Sequence, residues 1–124
     1  MEASLKLQAE LLKKLKQSGY RVYDYRPKKA QYPFILIGDD RQSDLDVKNG
    51  DYTNVTSTMT VFSNYNGQKE AKEILEQIRQ VCYLIDPPTY KVVGATVQEM
   101  FTVWDEENLL NQGVITVRFK LIKR

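Results

Sequence analysis

Thr53-Asn54-Val55-Thr56-Ser57-Thr58-Met59-Thr60-Val61-Phe62 is followed by the break Ser63-Asn64-Tyr65-Asn66-Gly67 and then by Gln68-Lys69-Glu70-Ala71-Lys72-Glu73-Ile74-Leu75. The change of period across that break decides the fold. The first part is dense in β-branched residues, which suit a pleated surface. Val55, Met59 and Val61 share one face with Thr53 and Ser57, while Tyr52, Asn54, Thr56, Thr58, Thr60 and Phe62 share the other. A face so rich in threonine suits solvent first; a pore lining or a second subunit are the alternatives. Past Gly67 the apolar period becomes helical. Ala71, Ile74, Leu75, Ile78, Val81, Cys82 and Ile85 make one stripe, Lys69–Glu73 and Lys72–Glu76 can pair on the exposed side, and Asp86-Pro87-Pro88 stops the helix.

Upstream, Ser4 to Ser18 reads as a helix with Leu5, Ala9, Leu11, Leu12 and Leu15 on one arc and Lys6, Glu10, Lys13, Lys14 and Gln17 opposite. Ser4 is placed to cap it, and Gly19 to end it in a left-handed conformation. Tyr20 to Tyr25 predicts a short strand ending at Arg26-Pro27, at a sheet edge. Phe34-Ile35-Leu36-Ile37 predicts a strand buried on both faces. Asp39 to Asp51 has no apolar period and reads as a mobile surface loop. Downstream, Tyr90 to Trp104 predicts a long strand kinked near Gly94 or Gln98. Asp105 to Gly113 is a hairpin loop. Val114 to Ile122 closes the sheet, with Ile115, Val117, Phe119 and Leu121 facing inward. The order predicts an α+β fold of two layers: a mostly antiparallel sheet of about five strands with both helices packed on one face.

A chain of 124 residues fits one domain, spanning 1–124, with no repeats. The net charge of +2 is too small to imply a nucleic-acid partner. The single cysteine, Cys82, excludes an internal disulfide, suits a reducing cytoplasm, and sits on the apolar stripe as a core residue rather than a nucleophile. No run approaches the ~20 apolar residues that span a bilayer, and no signal peptide is recognisable. The expected setting is the cytoplasm or a structure assembled there, with no membrane partner.

Catalytic chemistry is sought in vain. There is no histidine, and so no imidazole base, triad member or metal ligand. The scattered glycines make no phosphate-cradling loop. Asp44 and Asp46 match the opening ligands of a calcium loop, but Lys48, Asn49 and Val55 break it. Asp39 and Asp40 suggest no pocket for acid–base hydrolysis. No catalytic, cofactor or metal residue is therefore assigned, and the chain is not expected to be an enzyme. Tyr20, Tyr23, Tyr25 and Tyr32 are expected to cover a sheet edge. Leu109-Leu110 within a polar hairpin either folds back onto the chain or plugs into a neighbour.

Four stretches, in order, resemble the tail completion proteins of long-tailed bacteriophages and prophages, also called tail-to-head joining or tail terminator proteins. They are Arg21 to Pro27; Tyr32 to Asp40; Thr60 to Ser63 with Gly67 and Glu70-Ala71-Lys72; and Gly113 to Phe119. The resemblance covers Leu11 to Ile122. It implies a structural subunit of a ring, a hexamer, that caps the finished tail tube and joins it to the head connector or stopper protein. The place implied is the head–tail junction of the virion. No catalysis, cofactor or specific nucleic acid is implied. Ring contacts of this kind are heterologous, and the candidates are Asp39, Asp40, Arg41, Asp44, Asp46 and Lys48 in the first loop and Leu109 and Leu110 in the second. Leu109→Asp and Leu110→Asp are expected to weaken association and leave melting unchanged. Alternative readings are an adaptor in another tail-like or contractile assembly, and a small nucleic-acid-binding domain using Lys6, Lys13, Lys14 and Lys16.

Overall fold

The computed structural model describes residues 1–47 and 50–124. The elements run α1 (Glu2–Gln17), β1 (Val22–Tyr23), β2 (Phe34–Val47), β3 (Gly50–Ser63), α2 (Lys69–Tyr83), β4 (Tyr90–Asp105) and β5 (Leu110–Lys123). The strands form one sheet in the order β1-β2-β3-β5-β4. Only β1–β2 is parallel; β2–β3, β3–β5 and β4–β5 are antiparallel. The α+β architecture expected from the order of elements is the one observed.

Both helices lie on the same sheet face. Leu7, Leu11 and Leu15 of α1 and Ile74, Leu75, Ile78 and Cys82 of α2 join Ile35, Ile37, Val55, Met59, Val61, Ile115, Val117, Phe119 and Leu121 in one buried cluster. The inward alternation read from β3 and β5 is therefore correct. In α1 the reading was half right. Leu11 and Leu15 are buried, but Leu5 is 65% exposed, and Ala3 and Leu7 take the inner positions. The helix starts at Glu2, so Ser4 does not cap it. Instead Ser4 is buried, its N–H donates to Gln42 Oε1 at 3.0 Å, and its hydroxyl donates to Asp40 Oδ2 at 3.2 Å. A tertiary contact thus overrides local capping preference. Gly19 does take the left-handed conformation expected of it, at φ 96.

The largest correction concerns Asp39 to Asp51, read as a mobile loop. Its described residues belong instead to the β2–β3 hairpin, whose ladder continues from Arg41↔Thr56 to Val47↔Gly50. A strand whose backbone bonds a neighbour needs no apolar period on a face that nothing covers. Continuity past Gly38 is achieved by a bulge, with Asp39 at φ 60. The Asp105–Gly113 loop is likewise shorter than expected, because Asp105 already pairs with Leu110. In β4 the register shifts lie between Val92 and Gly94 and between Val97 and Glu99, at the two places expected. In α2 the Lys69–Glu73 pair forms at 4.0 Å, whereas Glu76 pairs with Arg79 at 3.4 Å rather than with Lys72.

Candidate functional site

The sheet face turned away from the helices is bare over much of its area. Thr56, Thr58, Thr60 and Thr116 on it are half-buried, and Arg118 and Lys120 are exposed. Thr58 and Thr116 face each other across β3 and β5, with hydroxyl oxygens 3.3 Å apart. Gly38, Thr58, Thr116 and Glu99 form one row across the four long strands, and the bulges of β2 and β4 both flank that row. Bulges bend a strand and raise its twist. Here a depression of about 600 Å³ opens beside them, lined by Thr56, Thr58, Thr116 and Gln98 and by Asp39, Asp40 and Arg41. The reading that Asp39 and Asp40 adjoin no pocket is thereby corrected. Asp39 is exposed there, whereas Asp40 is half-buried and its Oδ1 has no hydrogen-bond partner among the described residues.

One end of this face is closed by aromatic residues. Phe34 and Phe62 stack with centroids 4.8 Å apart, and Leu110 is buried with them. Tyr23 and Tyr32 pack on Phe34 at 5.9 and 5.5 Å, Tyr25 packs on Tyr23 at 5.7 Å, and the Arg26 guanidinium lies 4.3 Å from the Phe62 ring centroid. The tyrosines thus cover the β1 side of the sheet, as expected, and complete the burial of β2 on its second face. Tyr20 stands apart from that cluster. Burial, helped by the Glu73 carboxylate, raises its pKa.

The same end is pinned to the β3–α2 connection. Ser63, buried, donates to Glu70 at 2.7 Å and accepts from the Tyr65 N–H at 3.2 Å. The Asn111 amide donates to the carbonyls of Tyr65 and Gly67 at 3.2 and 2.6 Å. Beside it, Asp105 accepts from the Asn108 side chain at 2.8 Å and from its N–H at 3.2 Å, and these bonds lower the Asp105 pKa.

The proposed interface residues do not form one patch. Asp39, Arg41 and Asp44 are exposed along β2, and Asp44 accepts from the Thr53 hydroxyl at 3.2 Å. Asp40 is partly buried against α1 through its bond from Ser4. The backbone of Asp46 pairs with that of Asp51, and Lys48 lies outside the described residues. Leu109 stands at the far end, in the β4–β5 turn, 65% exposed and with φ 55. Leu110 is corrected outright: at 4% exposure it is core, packed with Phe34 and Phe62. The lysines Lys6, Lys13 and Lys16 are simply the solvated side of α1.

Sequence reasoning passed over the outer strand, β4. Val93, Met100, Phe101, Val103 and Trp104 are all exposed by more than a third. The signal was available: Met100-Phe101 and Val103-Trp104 place apolar side chains on both faces at once, which alternation with one buried face does not produce. Cys82, by contrast, is where the stripe put it, wholly buried, and burial pushes its thiol up to about 12.

A family model described as Tail completion protein gp17 matches residues 2–121. No curated protein matches the chain at a significant level. Among solved structures the chain is similar to one from the virion of a native gene transfer agent (GTA) particle, with a TM-score of 0.78 and 17% identity over 94% of each chain. At that identity the likeness is one of fold.

Proposed function

This chain belongs to the tail completion protein gp17 family of phage tail structural proteins, and from that premise we propose that it caps the finished tail tube as a ring, a hexamer, and joins the tail to the head connector during virion assembly. The match over residues 2–121 carries the reading, because it takes in both helices, β1 to β4 and all but the last two residues of β5. The fold is consistent with such a role. It presents a sheet with two open edges and one largely uncovered face, and it leaves surface for a neighbouring copy on one side and a different neighbour on the other. In this reading the chain works at the head–tail junction by contact alone. Asp39, Arg41 and Asp44 along β2 and Leu109 at the opposite end are its contact candidates, with Asp46 and Lys48, which follow the first group in sequence.

A second reading takes its support from the gene transfer agent virion. There the same fold would serve another tail-like particle, with the same ring but a different head partner. Electron microscopy of particles from a strain lacking this gene, beside a complemented control, tests both. Full heads lying apart from separate tails place the chain at the junction. Tails of irregular length add a role in ending tail growth. Intact, infectious particles reject the junction role altogether.

A further inference from the structure

We propose that the apolar end of β4 on one copy seats against the outer edge of β1 on the next, so that copies join edge to edge around the ring. The inference deepens the ring reading above and rests on it. β4 and β1 are the outermost strands, and no described strand lies beyond either. Apolar strand edges are normally blunted, since they template contact with another chain. At this end of β4, Met100, Phe101, Val103 and Trp104 are instead exposed by 36–45%, and Leu109 in the turn that follows by 65%. They leave both faces of the strand. Phe101 is level with Val114 on the bare face, whereas Trp104 is level with Asn111, whose amide reaches the β3–α2 connection on the helix side. A partner must therefore meet the edge itself rather than one face.

The β1 edge lies at the same height. One row of the sheet runs Phe101, Val114, Thr60, Leu36, Tyr23, and the next runs Thr102, Gly113, Val61, Ile35, Val22. β1 is parallel to β2, and three antiparallel steps separate β2 from β4, so β1 and β4 run oppositely. Copies set side by side in one orientation bring these two stretches together. Along the β1 edge lies a hollow of about 330 Å³, walled by Leu12, Tyr20, Val22 and Tyr25, with Lys16 and Arg21 beside them. It offers apolar side chains of a neighbour a place out of water.

Charge separates the two edges. From Glu99 to Glu107 the chain carries Glu99, Asp105, Glu106 and Glu107 and no base. From Lys13 to Lys29 it carries seven bases against one carboxylate, Asp24, which accepts from Gln8. On α2 the signs reverse at both edges. Lys72 lies by Met100 and Phe101, next to a Glu76 already paired with Arg79, while Glu73 lies by Tyr20. An acidic edge meeting a basic one suits a head-to-tail ring, and it disfavours β4 meeting its own kind.

Wild-type tails and the free chain are oxidised briefly with hydroxyl radicals, and each residue is read by mass spectrometry. Met100, Phe101, Trp104 and Tyr25 are expected to react at least tenfold more slowly on tails. A charge exchange then identifies the occupant. Glu99→Lys with Glu107→Lys, and separately Lys28→Glu with Lys29→Glu, are expected to melt like wild type and to cut joined particles at least tenfold. The four changes together are expected to restore joining to within about threefold of wild type. The two pairs lie on opposite edges of one sheet, so rescue reports contact between copies. Rings at tube ends with Trp104 as reactive as in the free chain, or protection without rescue, would overturn the edge contact and leave the ring standing. If wild-type tails carry no ring, the ring reading falls, and this inference with it.

Discussion

Ser57 sits wholly buried on the helix-facing side of β3, and its hydroxyl has no hydrogen-bond partner among the described residues. A buried hydroxyl left unmatched costs about 1–3 kcal/mol. Ser57→Ala is therefore expected to raise stability by about 1 kcal/mol in urea unfolding; a loss would mean that the hydroxyl is satisfied. Cys82 makes the opposite case, a polarisable group content in an apolar place. Burial disfavours its thiolate and moves its pKa from 9.0 to about 12. Its contribution to stability is thus intact below pH 9 and is lost as pH climbs towards 12, by up to about 1.4 kcal/mol per pH unit. Cys82→Ala should flatten that part of the alkaline stability curve. Native Cys82 should resist thiol reagents at pH 8 until the chain is unfolded. Gly113 is fixed by packing rather than by a turn: a Cβ there would meet Leu75 Cδ1 at 2.9 Å, so α2 rides directly on β5 at this point.

Elements show where local pattern stops being informative. Leu109 and Leu110 are neighbours of the same type in the same turn, and sequence treats them alike. The turn at Leu109, with φ 55, sends one outward and the other into the Phe34–Phe62 stack. Leu110→Ala is expected to cost about 2–5 kcal/mol, as for other buried leucines. Leu109→Ala should stay within about 0.5 kcal/mol of wild type, and thermal melting of the two variants checks the difference. Equal effects would mean that the turn adopts another geometry. The β2–β3 hairpin makes the same point. Its outer half carries Arg41, Gln42, Ser43 and Asp44, with no apolar alternation to announce a strand. It is a strand because β3 offers a matching row of backbone donors and acceptors, an arrangement that exists only once the hairpin forms.

At the scale of the molecule, the helix-covered sheet face holds the main core, while the other face holds the smaller Phe34–Phe62–Leu110 cluster at one end and is open over the rest. Phe119, wholly buried in the main core, is expected to cost about 3–5 kcal/mol when changed to alanine. Thr58→Ala and Thr116→Ala on the bare face should cost no more than about 0.5 kcal/mol each. Urea unfolding of the three variants tests this division of labour; a large loss at the threonines would mean that the bare face is structurally coupled to the core. Sequence by itself determined the inward stripe of α2, the alternation of β3 and β5, the bulges of β4, the place of Cys82 and the two-layer order, because each follows from periods of about 2 or 3.6 residues against a single buried face. The resemblance carried by four short stretches points to the family whose model matches residues 2–121. Only the tertiary structure decided which leucine of the β4–β5 turn is core, that Ser4 serves Asp40 and Gln42 rather than a cap, and that β4 and β2 are the outer long strands of the sheet. Those facts depend on strand order and on which neighbour is absent, and the period of a chain carries no record of what lies beside it.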